Sequence, residues 1–192
     1  MRKSLLTQPA SFFLLLLSAA LLLAGCTGGS RPDPRVIVLH STAAAVPAAE
    51  IRVGRVEVAE YLQRRHLIWR VSETMLVERR DQFWGERIEA GIRRVLEAEL
   101  AALTPSLADG ALYDVRIDRF EPGPDGRVEL RAGWQLATGD ATGDGGVLLS
   151  GRFQGAEAVA GSPNSGEAED AAVVAEAMSR LLGQLAREMA AR

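Results

Sequence analysis

Cysteine is all but missing from this chain: Cys26 is the only one in 192 residues. A lone thiol cannot build an internal disulfide framework. With just two histidines, His40 and His66, there is no Cys/His cluster for a structural zinc either. Excess basic charge is also lacking. The 22 Lys+Arg stand against 25 Asp+Glu, for a net charge of −3, and the arginines are mixed among acids. That is a poor electrostatic footprint for nucleic acid. Hydrophobic residues make up 47% of the chain but are unevenly spread. The first 25 residues carry only Arg2 and Lys3 as charges, so their removal leaves 167 residues and a net charge of −5. A chain of about 100–200 residues is usually one domain with a real core.

What is present at the N-terminus is an export pattern. Arg2 and Lys3 form a short basic region, and after Pro9 an apolar run extends from Phe12 to Ala24, broken only by Ser18. This run is too short to cross about 30 Å of hydrocarbon but suits the core of a signal peptide. It closes on Leu23-Ala24-Gly25-Cys26, followed by Thr27. Small residues before the cysteine let a peptidase approach the backbone, and the thiol is the side chain that takes a diacylglyceryl thioether. The pattern resembles a bacterial lipobox, against the blander reading of a secretory peptide ending near an incidental cysteine. Residues 1–25 are therefore expected to be a lipoprotein signal peptide and Cys26 the lipidation site. Each buried CH₂ contributes about 0.8 kcal/mol, so several acyl chains anchor durably where one does not. Under the lipobox sorting rule, Thr27 rather than aspartate after the cysteine points to the outer membrane, periplasmic face. Residues 26–34, ending Arg31-Pro32-Asp33-Pro34, read as a flexible tether.

Residues 35–192 read as one α/β domain, a mixed and largely antiparallel sheet packed by two long helices. Val36–Leu39 is a short strand, and Ala43–Ala49 a loop. In Ile51–Val58 the alternation changes phase near Gly54-Arg55, which predicts a bulge or bend. Leu67–Val71 and Thr74–Val77 read as short strands. From Asp81 to Leu103 the apolar positions Phe83, Trp84, Ile88, Ile92, Val95, Leu96, Leu100 and Leu103 recur at helical steps, and Pro105 ends the pattern. Tyr113, Val115 and Ile117 alternate with charges, the Pro122–Gly126 turn follows, and Val128 to Leu136 alternates again: a hairpin with one buried face. Val147–Gly155 is a third strand, Gly161–Gly166 a loop, and Ala168–Ala190 a closing helix.

Little of this carries chemistry. The Thr138–Gly146 loop (TGDATGDGG) has neither the ligand ladder of an EF-hand nor the GK[ST] of a phosphate loop. Ser150 lies in LLSGR, not in a nucleophile elbow. Asp114 and Asp118 alternate with arginines as pairing charges would. The Arg64-Arg65 and Arg79-Arg80 pairs fit a solvated face, with lipid head groups or a partner as the sharper reading. No catalytic residue, metal site or cofactor is expected.

The order of segments resembles the ABC-type transport auxiliary lipoprotein family, which includes the PqiC-like intermembrane transport lipoproteins. The matching pieces are RVIVL (Arg35–Leu39), IRVGRVEVAEYL (Ile51–Leu62), LIWRVSETM (Leu67–Met75) and DQFW (Asp81–Trp84). A helix ending LEAEL and the closing AVVAEAMSRLLGQLAREM (Ala172–Met189) complete the series. RVIVL departs from relatives that carry a tyrosine pair there. The resemblance implies a non-catalytic component at the outer membrane, docking an MCE-type periplasmic protein that bridges to an inner-membrane ABC permease and ATPase. It leaves a homo-oligomer open. Trp84 has two readings, a core anchor sharing a stripe with Ile88 or a partner-docking residue. A lipid or hydrophobe carrier, or an assembly factor for an outer-membrane β-barrel machine, are the other classes compatible with the chain.

Overall fold

The computed structural model describes residues 34–44, 52–104, 111–138, 146–159 and 168–192. The expected signal peptide, Cys26, the expected tether up to Asp33, Pro105 and most of the expected Thr138–Gly146 and Gly161–Gly166 loops lie outside the described residues. So do Ile51 and most of the Ala43–Ala49 loop. From Pro34 to Arg192 the chain forms one unit.

Among the described residues, seven strands and two α-helices follow in the order β1 (Arg35–Ile37), β2 (Val53–Val58), β3 (His66–Ser72), β4 (Met75–Trp84), α1 (Ile88–Leu103), β5 (Ala111–Pro122), β6 (Arg127–Thr138), β7 (Val147–Ala158) and α2 (Ala168–Ala190). The α/β class with two long helices holds. The single mixed sheet does not: the strands form a three-stranded sheet, β1-β4-β3, and a four-stranded sheet, β2-β5-β6-β7. β3 lies beside β5, but the two share no backbone ladder. Three of the strand pairs are antiparallel, while β1 runs parallel to β4 and β2 parallel to β5.

Both helices lie on one face of the four-stranded sheet. α1 packs on β2 and on α2, and α2 crosses β7, β6 and β5. Their apolar stripes supply the centre of one continuous core: Ile92, Val95, Leu96 and Leu100 from α1 meet Val174, Met178, Leu181, Leu182 and Leu185 from α2, all fully buried. Ile117, Phe120, Val128 and Leu130 rise from the sheet to meet them. Each fully buried side chain of this size contributes about 1.5–3 kcal/mol, so the stripes outweigh local propensity in fixing the helices.

The phase change in β2 is a bulge. Val53 sits opposite Tyr113 and Val56 opposite Val115, so three residues of β2 span two of β5. Val53, Val56 and Val58 consequently all face the core instead of splitting between faces. Asp114 accepts the backbone N–H of Arg55 at 2.7 Å, which satisfies the donor that the bulge frees.

The helix expected from Asp81 starts instead at Ile88. Asp81–Trp84 is the end of β4, where Gln82, Phe83 and Trp84 pair with Arg35, Val36 and Ile37. A four-residue apolar segment fits periods of 2 and 3.6 alike, and here a distant strand decided between them. Trp84 therefore shares no stripe with Ile88. It is half-buried against the edge of the core.

Two glycines on neighbouring strands of the four-stranded sheet differ sharply. On the helix side, a Cβ at Gly151 would sit 2.6 Å from the Trp134 ring, itself buried, so the indole lies directly against the β7 backbone. Gly133 of β6 has no described atom within 4 Å of where its Cβ would stand. Gly151→Ala is expected to destabilise by about 1–3 kcal/mol through overpacking. Gly133→Ala should be stabilising by up to about 1 kcal/mol. Urea unfolding midpoints of the two variants, at unchanged m, check the contrast.

Candidate functional site

The bend after β2 and the β4–α1 junction bring two stretches of the sequence together. Gln63, Arg64 and Arg65 face Trp84, Glu86, Arg87, Ile88 and Glu89 around a pocket of about 450 Å³. The Trp84 N–H donates to the Arg65 carbonyl at 2.9 Å, and the Gly85 N–H donates to Ile37 at 2.8 Å, so the rim is fixed by backbone. The Arg65 guanidinium lies 5.4 Å from the centre of the Phe83 ring, within cation–π range. Glu86 is taken up by Arg94. Among the described residues Arg64, Arg65 and Arg87 have no carboxylate partner, which leaves a tryptophan edge ringed by arginines. Tryptophan and arginine are the residues that most often dominate protein–protein contacts.

Other sequence candidates fall elsewhere. Arg79 pairs with Asp81 at 3.6 Å and stacks over Trp69, away from this pocket, so the two arginine pairs do not form one patch. His40 lies 3.7 Å from Glu176, and His66 bonds to Glu78. No group of metal-binding side chains occurs among the described residues. Ser150 is exposed on β7, lining a separate open groove with Arg116 and Arg152. No described helix is long and apolar enough to cross a membrane.

Two buried carboxylates escaped the sequence reading. Glu121, at the end of β5, has no solvent exposure. It accepts from the Tyr61 hydroxyl at 2.8 Å, the Phe120 N–H at 2.9 Å and Arg70 Nε at 2.7 Å, and it pairs with Arg119 Nε at 3.1 Å. Burial, and then the Glu121 carboxylate, push the Tyr61 phenol well above its ordinary value. The group is enclosed and saturated, so it joins β3 to β5 rather than offering an acid or base to a substrate. Glu99 of α1 holds the segment after β1: Ser41 Oγ and Thr42 Oγ1 donate at 2.9 Å each, Ala43 N–H at 3.0 Å, and the Thr42 N–H also donates. Both look like ordinary surface acids in the sequence. Only the apolar neighbours of Glu99 in Leu96-Glu97-Ala98-Glu99-Leu100 hint that it faces inward.

A family model for the ABC-type transport auxiliary lipoprotein component matches residues 36–190. The chain belongs to that family. Among solved structures, the fold is shared with the crystal structure of an uncharacterized protein, at 18% identity and a TM-score of 0.61, covering 82% of this chain and 99% of the other. It is also shared with protein XCC0632 from Xanthomonas campestris, at 16% identity and a TM-score of 0.56, covering 82% and 90%. At those identities the likeness is one of fold alone. No curated protein matches the chain. The family carries a transport-auxiliary role and a lipoprotein's association with membrane.

Glu99 gives this domain an acid-sensitive joint. Burial pushes its carboxyl up, but the hydrogen bonds from Ser41, Thr42 and Ala43 outweigh that and hold it below the usual carboxylate range. A depressed pKa contributes stability in full above the unfolded value, about 4.3, which is lost as pH falls through the lower folded value. Glu99→Gln should lower the Tm at pH 7 and flatten its decline between about pH 5 and 3, read by thermal unfolding against pH.

Proposed function

We propose that this lipoprotein is anchored through Cys26 to the outer membrane, facing the periplasm, and docks the far end of an MCE-type protein served by an inner-membrane ABC permease and ATPase. On this reading residues 1–25 are removed as a signal peptide, 26–34 form the tether, and 35–192 are the docking domain. The role is structural rather than catalytic. The observation that carries it is the family match over nearly the whole domain, joined to the lipobox that precedes it. The pocket of Trp84, Arg64, Arg65 and Arg87 is the contact that the geometry favours, since it combines an aromatic edge with arginines not already paired among the described residues. A hydrophobe carrier is less well supported, because the grooves described here are open and lined largely by charged side chains.

Crosslinking in intact cells followed by affinity recovery tests the assignment. The native chain should bring down MCE and permease components. Cys26→Ala should shift the protein to the soluble periplasmic fraction and lose them. Arg64→Glu with Arg87→Glu should stay membrane-bound and folded while recovery drops about tenfold, the loss of one interfacial hot spot. Recovery of a β-barrel protein instead would move the chain to the assembly class, and unchanged recovery by the double variant would clear the pocket of any role.

A further inference from the structure

The outer face of the four-stranded sheet, opposite the helices, carries an open groove of about 660 Å³ that the docking reading does not use. Across its floor one register row reads Glu57, Arg116, Gly133, Arg152, from β2 to β7. Glycine in a strand interior is costly, and it marks a bulge, a bend or a close approach by another molecule. Gly133's own pairs with Arg116 and Arg152 are regular, the β5 shift falling beyond Ile117, φ is not positive, and no described residue lies within 4 Å of where its Cβ would stand. Close approach from outside is what remains.

The chemistry of the walls says what approaches. Arg116 and Arg152 flank Gly133 from the two neighbouring strands, their Cα atoms roughly 10 Å apart, twice the strand spacing. Both side chains are exposed. Lys3 is the only lysine in the sequence, so every cation on this face is a guanidinium, a planar fork suited to oxyanions. The acids that face the groove are largely committed. Asp114 takes the Arg55 N–H and Gln135, Glu57 pairs with Arg55 at 3.0 Å, and Asp118 pairs with Arg116 at 3.0 Å. Arg152 has no carboxylate partner among the described residues. A planar carboxylate is satisfied by one fork, whereas a tetrahedral phosphate presents oxygens to forks on opposite sides.

We infer that this notch binds a phosphate group over Gly133, held between Arg152 and Arg116, either as a free oxyanion or as the head of a lipid. Arg152 supplies the uncommitted charge. Arg116 is shared with Asp118. Gly133 supplies the space.

The full-length chain in nonionic detergent is titrated by calorimetry with inorganic phosphate and, separately, with dihexanoyl phosphatidylglycerol below its micelle concentration. One site per chain is expected for at least one probe. Phosphate alone would assign a free oxyanion; the lipid, with or without phosphate, would assign a headgroup. Arg152→Gln should weaken binding about tenfold by removing a charge-assisted pair. Asp118→Asn should tighten it about two- to threefold by releasing Arg116. Gly133→Val should abolish binding while its urea midpoint stays at or above that of the native chain, because a Cβ there meets no described atom within 4 Å and valine favours a strand. Failure of the native chain to bind either probe overturns the inference, as does native affinity in Gly133→Val or Arg152→Gln. Arg64→Glu with Arg87→Glu lies outside this groove and leaves the titration unchanged, so a failed docking assignment and a failed phosphate site are told apart.

Discussion

The carboxylate of Glu121 is where the two sheets of this protein become one structure. β3 and β5 run side by side without a backbone ladder, so their junction rests on side chains. A carboxylate with no solvent exposure costs several kcal/mol of desolvation unless its lone pairs are filled and its charge is matched. Here Tyr61, Arg70 and the Phe120 amide fill the lone pairs and Arg70 with Arg119 matches the charge, drawing on the turn after β2, on β3 and on β5 itself. Each donor reaches that one carboxylate, which ties the turn after β2 and β3 to the end of β5 beside the shared apolar core. The pocket near Trp84 adjoins that tie, because Arg64 and Arg65 lie on the short connection between Tyr61 and Arg70.

Among the described residues of this acidic chain, arginines line the pocket near Trp84 and the adjoining grooves on the outer face of the four-stranded sheet. Around Trp84 the arginines frame an aromatic edge, a surface suited to a folded partner. Over Gly133 they frame bare backbone, a surface suited to a small anion. The helices that cover one face of the four-stranded sheet leave the other free to carry the second. The two proposals place a protein partner at the first surface and an oxyanion at the second.

Much of this was legible in the residues. The closing helix is bounded at Ala168 and Ala190 as its stripe indicates, and the alternation of Tyr113, Val115 and Ile117 against Val128 to Leu136 yields the β5–β6 hairpin. The phase change at Gly54-Arg55 is a bulge. What failed shares a cause: it depended on segments far away in sequence. Asp81–Trp84 is a strand because Arg35–Ile37 pairs with it. Glu121 and Glu99 are buried because donors from Arg70, Tyr61 and Ser41–Ala43 reach them. The split into two sheets leaves no local trace, since strand patterns do not say which neighbour each strand pairs with. The Gly133 notch was hidden in the same way, as its arginines are brought beside it only by register.

The segment just after β1 has a mechanical meaning. Under the proposed anchoring through Cys26, tension enters the domain at Pro34, and β1 is the first element in the load path. Its three residues lie parallel to β4, so a pull along the strand axis loads those ladder bonds in shear, and they yield together rather than unzip. Behind them Glu99 grips Ser41, Thr42 and Ala43, and Ser179 holds the His40 amide at 3.2 Å, fastening the strap to both helices. Under that anchoring, the β1 ladder and the strap are two successive attachments between Pro34 and the core. Once the β1 ladder has yielded as a unit, the strap still stands between the load and the helices.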